Sequence, residues 1–139
     1  MNKYAELREK QQKEVDAFPF MWAFSQKQFD EGMIQLGLKP SDTDKIYSIG
    51  FGGYIRKTDS AALHEMLDRH TAEMQAAIDS DETGEEFILD MFVYELDNHE
   101  YGYTHDLEPT LDALGLTVEE INSNPRLLHG LGLARRRCR

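Results

Sequence analysis

Between Thr58 and Pro125 the chain carries eighteen carboxylates and a single cation, Arg69, a net charge of −17. Like charges at that density repel one another, so this stretch folds with its carboxylates on outer faces and a separate apolar face hidden behind them. The flanks are different. Residues 1–57 hold nine Lys/Arg against eight Asp/Glu, residues 126–139 hold five Arg and no acid, and the whole chain comes to −11. A field of that sign repels nucleic acid and membrane phosphates and attracts basic protein surfaces.

At 139 residues, with 40% apolar content and aromatics spread along its length, the chain reads as one acidic globular domain over 1–139 with a basic C-terminal tail at 135–139. Mean hydropathy is −0.59, polar but too well supplied with aromatics for disorder. Met1–Lys13 is polar and charged where a secretory signal needs an apolar segment. The run Phe18–Phe24 is broken by Pro19 and too short to span a bilayer. The lone Cys138 excludes an internal disulfide and a zinc ribbon. A cytosolic location is the expectation by elimination. The arginines around Cys138 favour its thiolate, on what reads as a solvated, frayed tail.

Periodicity gives the elements. Residues 3–17 form a polar helix with a thin stripe at Tyr4, Leu7, Gln11 and Val15, ended by Pro19. Ser25 caps a helix through Phe29, Met33 and Leu36, stopped by Gly37. Two β-rich runs around Gly50, Gly52 and Gly53 predict a hairpin over 45–57; the glycines lack the lysine of a phosphate loop. Asp59 or Ser60 opens a long helix on which Leu63, Met66, Leu67, His70, Met74, Ala77 and Ile78 share a face, with Glu65, Asp68, Arg69 and Glu73 outside. The SDETG stretch, 80–84, reads as a solvated turn. Residues 85–98 then form a helix whose broad apolar face places it centrally. Leu107–Leu114 ends at Gly115, Thr117–Glu120 is a capping box, and Asn124–Pro125 starts a last helix. The fold class is α+β, predominantly α, with five to seven helices and one small hairpin.

Four constellations bear on function. His64 and His70 are six apart and diverge by about 120° on a helix, so a zinc-protease motif fails. Glu95, His99, His105 and Asp106 form the densest ligand-like set: Glu95 and His99 meet at four-residue spacing, and the Tyr101–Tyr103 bend can return the other two. That set supports either a metal or acid–base site or a helix-end capping interaction. Trp22 and Phe24 lie in an aromatic segment that serves either the core or a partner. The carboxylates Glu65, Asp68, Glu73, Glu85, Glu86, Asp90 and Asp97 either solubilise the protein or imitate a phosphate backbone before a basic channel.

The stretches WAFSQKQFDEGM (22–33), DTDKIYSIGFGGYIRKTD (42–59), FILDMFVYELDNHEYGYTHD (87–106), TLDALGLT (110–117) and NPRLLHGL (124–131) resemble a family of small acidic proteins carried by bacteriophages and mobile elements. Most members of that family have no known function, and the group is associated with inhibitors of RNA-guided CRISPR nucleases. The C-terminal RRRCR departs from the family's polar tail. The resemblance implies a non-enzymatic inhibitor that binds a bacterial defence effector, a type II RNA-guided nuclease. It implies no cofactor, no direct nucleic-acid binding and no membrane association. The charge pattern favours the seven carboxylates as its contact surface, with Trp22 and Phe24 as the competing anchor. A metal-dependent protein built on Glu95, His99, His105 and Asp106 is the alternative, and an accessory module with solubilising charge a third.

Overall fold

The change from helical to alternating periodicity and back is reproduced by the computed structural model, which describes residues 1–139. The elements are α1 (Lys3–Ala17), β1 (Met21–Trp22), α2 (Gln26–Gln35), β2 (Ile46–Gly50), β3 (Gly53–Arg56), α3 (Ser60–Ser80), α4 (Phe87–Asn98), α5 (Tyr101–Thr104), α6 (Glu108–Leu114), α7 (Val118–Ser123) and α8 (Pro125–Arg137). The predominantly helical α+β class holds. The eighth helix is α5, a single turn inside the expected HEYGYTHD bend, and a third strand, β1, joins the hairpin to give the antiparallel order β1-β3-β2. No helix is long and apolar enough to cross a membrane. The chain, read above as one domain, divides into two compact units, residues 13–71 and residues 1–12 with 72–139; the divisions fall within α1 and α3.

In the unit of residues 13–71, β3 is the central strand and its side chains alternate between two small cores. Tyr54 joins Met21, Met33 and Leu36, with Phe29 edge-on at 5.4 Å. Ile55 points the other way, into Leu63 and Met66 with Val15, Phe18 and Phe20 around them. The register Met21↔Tyr54 and Ile46↔Arg56 keeps the first set on one face. The hairpin closes through Phe51 and Gly52, both at positive φ (55° and 80°). That is the pattern of a type I′ connection, whose twist matches that of the strands. Ser25 caps α2 as expected, accepting from the Gln28 amide.

The unit of residues 1–12 and 72–139 is built on α4. Ile88, Phe92 and Leu96 are fully buried and Met91 nearly so, each burial contributing about 1.5–3 kcal/mol. Tyr4 of α1 meets Phe87 and Tyr94 edge-on, at 5.9 and 5.5 Å. Along the other side α8 packs closely, because at Gly130 a Cβ would lie 2.6 Å from both the Gly84 carbonyl oxygen and Ile88 Cγ2. Only glycine permits that approach. Asn124 caps α8 by accepting from the Arg126 and Leu127 amides, and Thr117 accepts from the Glu120 amide at the start of α7.

The SDETG stretch is not a solvated turn. Asp81 is 1% exposed. Its Oδ1 accepts from the amides of Thr83 (3.2 Å) and Gly84 (2.8 Å), and its Oδ2 from those of Glu86 and Ile88 (3.0 Å each). The orphan amides at the start of α4 are thus satisfied by a side chain five to seven residues earlier. Arg126 complements it: its Nη1 donates to the carbonyls of Ile78, Asp79 and Asp81 at the end of α3, the last at 2.6 Å. Burial pushes the Asp81 carboxyl up, but the amide donors outweigh it and hold the group below its ordinary value.

Asp81→Asn presents an amide N–H₂ to some of those donors and is expected to cost about 3 kcal/mol in urea unfolding. Because the folded value is depressed, the contribution of Asp81 is present above the unfolded value of about 3.9 and is lost as pH falls through the folded one. The wild type should therefore lose stability in acid more steeply than Asp81→Asn. Equal slopes in a urea series run between about pH 5 and 2 would contradict the assignment.

Candidate functional site

The face of the small sheet that carries Ile55 is covered at one end and open at the other. Period-2 alternation puts Tyr47, opposite Ile55, and Trp22, opposite Gly53, on that same face. Phe20 leads the covered core toward Trp22, with ring centroids 5.8 Å apart. Beyond that point the cover stops. Trp22 is 53% exposed, Phe24 77% and Phe51 95%, with Tyr47 and Ile49 about half as exposed as Phe51 or less.

Two glycines bring Trp22, Ile49 and Phe24 together, and Phe51 adjoins them as the residue before Gly52. At Gly53 a Cβ would come within 2.6 Å of the Trp22 ring and 2.8 Å of Ile49 Cγ1, so the two close over bare backbone. At Gly52 a Cβ would come within 2.6 Å of the Phe24 ring. Lys57 Nζ sits 5.1 Å from the centroid of Tyr47, a cation–π contact at the border. Trp22 and Phe24 are thus partly solvent-facing rather than core anchors. The alternation in IYSI was the one local signal for Tyr47 and Ile49; Phe51 had none, and the glycine opposite Trp22 is set by the β1–β3 pairing.

The seven carboxylates are dispersed. Glu65 and Asp68 belong to the unit of residues 13–71, and the other five to the helical unit. Glu73 is half-buried and takes Lys10 at 3.1 Å and the Gln11 amide at 3.3 Å. Asp90 accepts from the Lys3 amide at 2.8 Å and so holds the start of α1. Glu85 faces His129 at 3.2 Å. Glu65, Asp68, Glu86 and Asp97 are exposed. The apolar face of α4 is so broad that few positions remain for an outward charge array.

Glu95 and His99 do meet, at 3.5 Å. Yet Glu95 is 2% exposed and its Oε1 accepts from Arg8 Nη1 at 2.6 Å. The Arg8 guanidinium lies over Tyr94 at 5.3 Å and over Tyr4 at 5.9 Å. Burial, reinforced by Glu95, pushes the Tyr4 hydroxyl up to about 12. Glu95 is thus a buried carboxylate whose charge is matched by a partly exposed cation lying over aromatic faces, the arrangement that makes a buried carboxylate tolerable. His105 and Asp106 go elsewhere: His105 is exposed and packs on the Tyr101 ring at 5.5 Å, and Asp106 accepts from the Glu108 amide at 3.0 Å. His70 lies on the buried face of α3, 3.4 Å from Glu14. The hydrogen bond from Arg69 holds the Glu14 carboxyl down at about 2.

The basic terminus is not a frayed tail. Helix α8 continues through Arg137, and Cys138 is 6% exposed with its thiol 3.8 Å from the Val93 carbonyl. Burial, followed by the Asp97 carboxylate, pushes the thiol up to about 11 against the opposing pull of Arg137. The flanking arginines do not produce a thiolate. Cys138 is expected to react with a disulfide reagent in native protein at pH 8 at least tenfold more slowly than in urea; equal rates would overturn its burial.

No curated protein and no solved structure is significantly similar to the chain. One family model matches almost all of it, from residue 3 to residue 137. The chain belongs to that family, DUF7659, a family of unknown function.

Proposed function

We propose that this protein is a non-enzymatic binding module for another protein, anchored by the open sheet face and steered by its acidic surface. The observation that carries the reading is the clustering of Trp22, Phe24, Ile49 and Phe51 around Gly52 and Gly53, all solvent-facing. Large apolar side chains exposed singly are ordinary, but a contiguous group is an interaction surface. Trp and Phe are what interface centres concentrate. A net charge of −11 argues against nucleic acid as the occupant and for a basic protein surface.

The partner class comes from the resemblance to phage and mobile-element proteins. It is a bacterial defence effector in the host cytosol, specifically a type II RNA-guided nuclease. Such nucleases hold their heteroduplex in a positively charged channel, to which Glu65, Asp68, Glu86 and Asp97 are complementary. In this reading the aromatic face supplies the affinity and the carboxylates supply the approach, since rim charges act mainly on association rate. No catalytic residue, metal or cofactor enters it, and the Glu95–His99 pair is structural.

A DNA-cleavage assay on a type II effector, with binding kinetics over a salt series, tests both parts. The wild type should inhibit. Trp22→Ala combined with Phe24→Ala should weaken binding by about 2 kcal/mol or more, roughly 30-fold. Reversing Glu65, Asp68, Glu86 and Asp97 to Lys should slow association at low salt and leave dissociation unchanged. Absence of binding would remove the effector as partner. Full inhibition by the doubly substituted aromatic variant would remove the sheet face as anchor.

A further inference from the structure

The C-terminal arginines present a second surface, independent of the sheet face. Elsewhere in this acidic chain guanidinium groups find oxygen partners. Arg8 takes Glu95, Arg56 takes Asp59, Arg69 takes Glu14, and Arg126 takes three carbonyls. Arg135, Arg136 and Arg139 form no ion pair with an acidic side chain. They line one cavity of about 640 Å³ together with Tyr101, His105 and two glycines, Gly102 and Gly132.

The cavity wall is fixed. Tyr101 is 3% exposed. Arg135 Nε donates to its hydroxyl at 2.8 Å, and the guanidinium lies 5.8 Å from the ring centroid. With Nε committed, the two terminal nitrogens of Arg135 remain as donors. At Gly132 a Cβ would meet nothing within 4 Å, so this wall has open space before it. Compensation of the helix dipole accounts for basic residues in the last turn of α8. It does not call for a cavity, and helical spacing puts Gly132, Arg135, Arg136 and Arg139 on the one face that lines it, with Arg137 outside.

We propose that this cavity binds a small phosphate-bearing anion. Guanidinium forks pair with phosphate oxygens two at a time, and three of them match a ligand of two or more negative charges better than a single carboxylate. The volume lies within the range of small-molecule sites. A nucleic-acid strand would have to lie along a unit with seventeen acids against eight cations, whereas a compact anion meets only the local arginines.

Calorimetric titration of the full chain with pyrophosphate at low ionic strength tests this, with ADP, citrate and a single-stranded oligonucleotide as parallel arms. Pyrophosphate should bind one to one. Affinity should fall at least tenfold in Arg136→Gln/Arg139→Gln and, with no charge change, in Gly132→Leu, which fills the open space. Arg137→Gln should bind as the wild type does, and all variants should retain the wild-type circular dichroism spectrum. ADP binding as tightly as pyrophosphate or more tightly supports the site, and the tighter case identifies a nucleotide as the ligand. Citrate or the oligonucleotide binding as tightly as pyrophosphate would overturn the phosphate assignment. No pyrophosphate binding, or an equal loss in Arg137→Gln, would overturn the site.

Discussion

The Asp81 carboxylate is the constraint on which the helical unit depends. It lies where α3 ends and α4 must begin, and both events leave backbone groups without partners. One buried side chain accepts the amides of the incoming helix while Arg126 donates to the carbonyls of the outgoing one. That pair also ties the start of α8 to the same junction, so the close packing of Gly130 on Gly84 and Ile88 follows from it. The large core around Phe92 is assembled by a polar knot at its edge, because burying an acid is tolerable only when its oxygens are saturated.

Much of this was legible in the residues. Helix starts marked by Ser25, Thr117 and Asn124 are local signals, since the capping side chain and its amide are two or three residues apart. The hairpin was legible for the same reason. Asp81 was not, because its amide partners extend to Ile88, seven residues on, and a run such as SDETG has the composition of an exposed turn. Strand β1 was missed because two residues carry no periodicity; its pairing with β3 is a tertiary fact. The C-terminus misled through composition: RRRCR looks solvated, yet helical spacing turns Cys138 inward while its neighbours face out.

The charge imbalance that dominates the sequence is partly consumed by the fold. Asp81, Glu95, Asp90 and Glu73 hold amides, Arg8, the start of α1 and Lys10. The carboxylates that remain outward are spread over both units. A phosphate-like array is therefore a weaker basis for recognition than the aromatic face, where apolar area is left open at no structural gain. The large core gathers around α4, and the sheet unit, with its two small clusters, leaves part of its apolar surface exposed.

That division rests on Trp22 facing solvent, and the chain contains a single tryptophan, so its fluorescence reports on the sheet face alone. In the free protein an open sheet face gives red-shifted emission that iodide quenches readily, with helical circular dichroism intact. Blue-shifted emission protected from iodide would place Trp22 in a closed core and contradict the open face.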